Sequence, residues 1–120
     1  MKLENQLVCR GLSEELEKNG YPQEGLWWWH YNDACGKDDI AKGYYGDWRL
    51  EEIGDEGDFV APTIAELGKA LPSFIIEKLN NEYQINGYGK NNEGCFMIGK
   101  SLCNIMAKMW LYLKKKGLIK

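Results

Sequence analysis

The chain has 120 residues, 44% of them hydrophobic and 28% charged, which excludes a disordered chain and provides apolar side chains for one core but not two. No run approaches the roughly 18 apolar residues of a membrane helix, and the opening MKLENQLVCRG holds neither an apolar leader core nor a small-residue cleavage site. A net charge of −3 argues against a nucleic-acid binder, whose affinity rests on Lys and Arg meeting phosphates.

Val8, Leu12 and Leu16 recur every four residues and are followed by Gly20 and Pro22, so a first helix is expected over residues 9–19. Leu26 to Tyr31 are all large and β-favouring after Gly25, which predicts a strand. A second strand is expected over residues 44–53, YYGDWRLEEI, with the polar, Gly-containing NDACGKDDIAKG as the hairpin connection between the two. In VAPTIAELGKALP, Thr63 and Glu66 have the spacing of a capping box, Ile64, Leu67 and Leu71 share one helical face, and Pro72 ends the helix.

Three short strands follow, SFIIEKL, EYQINGYG and CFMIG, with Asn80-Asn81 and KNNEG as turns. The last element is a helix capped by Ser101, with Leu102, Ile105, Met106, Met109, Trp110 and Leu113 as its apolar stripe and Gly117-Leu118 suited to a Schellman ending. The order α-β-β-α-β-β-β-α, three helices with a mostly antiparallel sheet of about five strands, predicts one α+β domain over residues 1–120. A two-layer or an α/β/α sandwich would satisfy it.

Charge is distributed unevenly. Residues 1–60 carry six Lys/Arg and fourteen Asp/Glu, net −8, whereas residues 61–120 carry nine and four, net +5. Lys114, Lys115, Lys116 and Lys120 suit the C-terminal end of a helix dipole. The four cysteines, Cys9, Cys35, Cys95 and Cys103, form no C-x-x-C pair and share the chain with a single histidine. They are expected as free thiols of a reducing cytoplasm, with no metal site and no cofactor.

Four features could carry chemistry. GCFMIGKS, from Gly94 through Gly99 and Lys100 to Ser101, satisfies the phosphate-loop pattern G-x-x-x-x-G-K-[ST] and precedes a helix. Its four middle residues are an apolar run that wants to be a strand, so a strand, a turn and a capped helix are expected instead of a nucleotide site. The cluster Glu51, Glu52, Asp55, Glu56 and Asp58 lacks the spacing of an EF-hand and is expected as a solvated turn or as a negative patch for a basic partner. His30 lies near Cys35, but a catalytic pair would need an orienting third group that the sequence does not reveal, so no catalytic residue is assigned.

The fourth feature is the row Trp27-Trp28-Trp29-His30-Tyr31. Strand alternation places Trp27, Trp29 and Tyr31 on one face and Leu26, Trp28 and His30 on the other. One face must cover the helices. The other is expected to be core under a further helix, an interface with a partner or second subunit, or a stacking platform for a carbohydrate or a base, the base being disfavoured by the acidic surroundings.

The blocks VAPTIAELGKALP and AKMWLYLKKKGLI resemble small proteins of unassigned function encoded by bacteriophages, prophages and other bacterial mobile elements. The resemblance implies a setting inside a bacterial cell and carries no catalytic residue over to this chain. The expected function is that of a non-enzymatic accessory protein that binds a host or phage macromolecule, with Trp28, His30, Tyr45, Trp48, Glu51 and Asp55 as the contact residues. Self-association is a further expectation. The alternative is a small nucleotide- or metal-dependent enzyme using Lys100 and Ser101 or the acidic cluster.

Overall fold

A computed structural model describes residues 6–33, 46–72, 74–88 and 94–119. Along them lie α1 (Arg10–Lys18), β1 (Trp28–Asp33), β2 (Gly46–Glu51), β3 (Phe59–Val60), α2 (Ile64–Ala70), β4 (Phe74–Lys78), β5 (Tyr83–Tyr88), β6 (Gly94–Gly99) and α3 (Leu102–Lys115). The α+β class is as expected, but the strand count and the sheet are corrected. Six strands form two antiparallel three-stranded sheets, in the orders β2-β1-β3 and β4-β5-β6. The additional strand is β3, whose two residues are too few to show a period of two in the sequence. It pairs with β1 through Trp28 opposite Val60 and Trp29 opposite Phe59, on the edge of β1 that β2 leaves free.

Local chemistry sets the helix ends. Thr63 accepts from the Glu66 N–H while Glu66 accepts from the Thr63 N–H, completing the capping box, and Ser101 Oγ accepts from the Asn104 N–H. Both α1 and α3 close in Schellman turns. At the end of α3 the Leu118 N–H donates to Leu113 O and the Gly117 N–H to Lys114 O; at the end of α1 the Tyr21 N–H donates to Leu16 O and the Gly20 N–H to Glu17 O. Gly20 and Gly117 take φ of +88° and +70°, the left-handed conformation those turns require.

α3 is the hub of the core. Cys103, Ile105, Met106, Ala107, Met109, Trp110, Leu111 and Leu113 are all buried, and the helix packs on α1, α2, β5 and β6. Val8, Leu16, Tyr21, Val60, Leu67, Leu71 and Ile85 join them in one cluster that draws on both sheets and every helix. The C-terminal sheet approaches α3 closely because Gly87 faces it: a Cβ there would lie 2.9 Å from Met109 Sδ. The opposite face of that sheet is open, with Ile75, Phe96 and Ile98 at 54%, 64% and 46% exposure and the Gln84 amide donating to Asn86 Oδ1 along the central strand. Among the described residues no helix is long and apolar enough to cross a membrane.

Candidate functional site

The aromatic row is divided between two environments, and both are read from the register. Tyr31 lies opposite Trp48 and Trp29 opposite Leu50 on β2, so these four side chains share one face. On that face the Tyr31, Trp48 and Phe59 rings form a chain with centroids 5.2 and 5.1 Å apart, and the Arg10 guanidinium of α1 lies 5.2 Å from the Trp48 centroid. The Trp29 indole N–H donates to Val8 O at 3.0 Å. This face is a structural seam between the first sheet and α1.

Trp28 and His30 occupy the other face, whose covering alternation alone left open. Trp28 packs on the core cluster and is backed by Gly54, where any Cβ would overlap the indole ring. The segment after β2 therefore folds back over Trp28. We expect Gly54→Ala to cost about 1–3 kcal/mol through overpacking, measured by urea unfolding followed on tryptophan fluorescence. An unchanged midpoint would show that the segment does not rest on Trp28.

Beyond Trp28 the same segment leaves a cleft of about 730 Å³ lined by Trp27, His30, Leu50, Glu51, Glu52, Ile53 and Asp55. Trp27 precedes the strand, so β alternation does not govern it, and it shares this cleft with His30 where the sequence pattern placed the two on opposite faces. Its main chain is held by the Ala61 N–H, which donates to Trp27 O at 2.8 Å, and the approach to it by the Gln23 side chain, whose Oε1 accepts from the Val60 N–H at 2.9 Å.

The wall of the cleft is built by a turn from Asp55 to Asp58. The Asp58 N–H donates to Asp55 O, and Gly57 at the third position has φ of +89°, a value a side chain rarely accepts. The turn points the Asp58 carboxylate inward, where its side chain is only 5% exposed. Asp58 Oδ2 accepts from the Asp55 N–H at 2.8 Å and Asp58 Oδ1 lies 2.8 Å from His30 Nδ1. An ionised carboxylate only accepts, so Nδ1 carries the proton and Nε2 is the nitrogen left to titrate. The hydrogen bond to Asp58 raises the His30 pKa above its ordinary value, helped by the charges of Asp58, Asp55 and Glu51, while partial burial works the other way.

Of the residues expected to contact a partner, the structure brings together His30, Glu51 and Asp55. Trp28 is turned to the core, Trp48 belongs to the opposite face, and Tyr45 lies outside the described residues. Trp27, Leu50, Glu52 and Ile53 in the lining, and Asp58 behind it, were not singled out as contacts from the sequence. Asp58 supplies the orienting group for His30, and no local signal announces it, because the two meet from positions 28 apart. His30, Asp55 and Asp58 each bring one nitrogen or carboxylate oxygen within 4.8 Å of the others, a closeness that the bonds of Asp58 to His30 Nδ1 and to the Asp55 N–H account for.

The Gly94–Ser101 motif has the expected structure of a strand and a cap. Gly94 to Gly99 are β6, paired along their length with β5, and Ser101 caps α3. A strand sends successive N–H groups to opposite sides, so this backbone does not gather its donors around a phosphate. Cys103 donates its thiol to Leu7 O at 2.9 Å, and burial pushes that thiol up, away from nucleophilic character. Cys35, the sequence neighbour of His30, lies outside the described residues.

No protein-family model matches the chain, and neither the curated proteins nor the solved structures give a match.

Proposed function

We propose that the protein acts by binding another macromolecule, and that the cleft between β1, β2 and the Asp55–Asp58 turn takes a basic segment of a protein partner. The observation that carries this reading is the cleft's composition: Trp27 lines it together with the acidic Glu51, Glu52 and Asp55, and Asp58 is bonded to His30 in its wall. An aromatic ring next to negative charge suits the apolar stem and cationic head of a Lys or Arg side chain. In the setting the family resemblance implies, the partner is a host or phage protein inside a bacterial cell.

A lysine-rich peptide titrated against the protein, followed on tryptophan fluorescence, tests this. Binding should weaken with added salt. The Glu51→Gln, Glu52→Gln, Asp55→Asn triple variant should lose roughly tenfold in affinity, three exposed charge pairs at about 0.5 kcal/mol each. Equal affinity in the triple variant and the wild type would reject the cleft as the site.

A further inference from the structure

We propose that the cleft is proton-coupled: occupancy by a cationic segment lowers the affinity of His30 for its proton, and protonation of His30 weakens the hold on the segment. This rests on the reading that the cleft takes a basic partner. The coupling follows from geometry. His30 lies in the wall of the same cleft as Glu51, Glu52 and Asp55, and it is clamped by Asp58 so that its charge cannot swing away. The groups that face it come from each neighbouring element. β2 contributes Glu51 and, directly opposite His30 in the ladder, Arg49; the turn contributes Asp55 and Asp58; the segment before β1 contributes Trp27, and β3, which pairs with Trp28 and Trp29 through Val60 and Phe59, brings no charged residue.

Four carboxylates (Glu51, Glu52, Asp55, Asp58) and the one Arg49 guanidinium leave the described cleft near −3 with His30 neutral and near −2 with it protonated. An arriving ammonium therefore meets either an uncharged imidazole or a like charge. By linkage, whatever factor protonation takes from the partner's affinity, the partner takes from the affinity of His30 for its proton. The hydrogen bond to Asp58 moves this exchange upward from the ordinary imidazole range. The sign is fixed: affinity is highest above the His30 midpoint and falls as pH drops through it.

Because His30 is the sole histidine, one imidazole resonance reports the exchange in the full chain. The experiment is an NMR pH titration of that resonance with and without saturating hexalysine peptide, beside affinities at pH 5.5 and 8.5 for the wild type, His30→Gln and Asp58→Asn. Expected are a lower His30 midpoint with peptide bound, and a roughly two- to fivefold weaker wild-type affinity at pH 5.5, the effect of one partly screened like charge. His30→Gln should flatten that pH dependence. Asp58→Asn should lower the free midpoint and move the loss of affinity to lower pH with it. Peptide binding with an unchanged His30 midpoint, or equal pH dependence in His30→Gln, would overturn the coupling alone. Absence of peptide binding at every pH would overturn both the coupling and the basic-segment reading beneath it.

Discussion

Ile85→Ala should destabilise the protein by about 2–5 kcal/mol, whereas Ile75→Ala, one strand away, should shift stability by no more than about 0.5 kcal/mol. Both are isoleucines in the same three-stranded sheet, and only their faces differ. Ile85 is fully buried at the centre of β5, flanked by Ile76 and Met97 in the register and covered by α3. Removing its side chain leaves a cavity that the strands on either side hold open. Ile75 pairs with Asn86 on the opposite face and is 54% exposed, so truncation removes little that was hidden from water. Since small domains hold only about 5–15 kcal/mol in total, the first variant should unfold at visibly lower urea concentration and the second should superimpose on wild type. Equal losses would mean that the outer face is covered by something outside the chain's own core.

The two faces of that sheet were partly legible in advance, and the reason is instructive. Strand existence and helix ends are local properties: a capping box at Thr63 and Glu66, a Gly-Leu pair after the last helix, and short apolar runs between turns state their structure within a few residues. The number of sheets is not local. Whether β3 adds to β1 or continues toward β4 depends on contacts across dozens of residues, and a two-residue strand carries no pattern of its own.

The site shows the same division. Acidic residues and aromatics were visible as a cluster and a row, but which tryptophan faces the cluster was decided by where β1 starts. Beginning at Trp28 instead of Leu26 frees Trp27 from the pleat and lets it join His30. The pairing of Asp58 with His30 required a turn with a left-handed Gly57 to aim one carboxylate back at a strand, and sequence spacing contains no trace of it.

Trp110→Ala should have the largest effect of any single truncation in the core, about 3–5 kcal/mol, and it should also change how the protein responds to alkali. Trp110 is 4% exposed in α3 and meets the Tyr21 ring edge-on, with centroids 5.2 Å apart. Burial, with a smaller contribution from the charge of Glu66, pushes the Tyr21 phenol up to about 12 from an ordinary 10. A group whose pKa is raised by folding contributes stability that is complete below its unfolded value and disappears as pH rises through its folded one. The wild type should therefore lose stability between about pH 10 and 12, as the unfolded chain gains the option of ionising Tyr21 before the folded chain can. Removing the indole wets the phenol, so the variant's Tyr21 should ionise closer to pH 10, seen as tyrosinate absorbance at lower pH under conditions where the variant is still folded. The segment that follows Tyr21 carries this effect toward the cleft: the Gln23 side-chain amide donates to Tyr21 O and its oxygen accepts from the Val60 N–H, holding the approach to Trp27. Loosening Tyr21 should thus weaken peptide binding in the folded variant although Trp110 is absent from the cleft's lining, and unaltered binding there would show that the cleft is positioned by the first sheet alone.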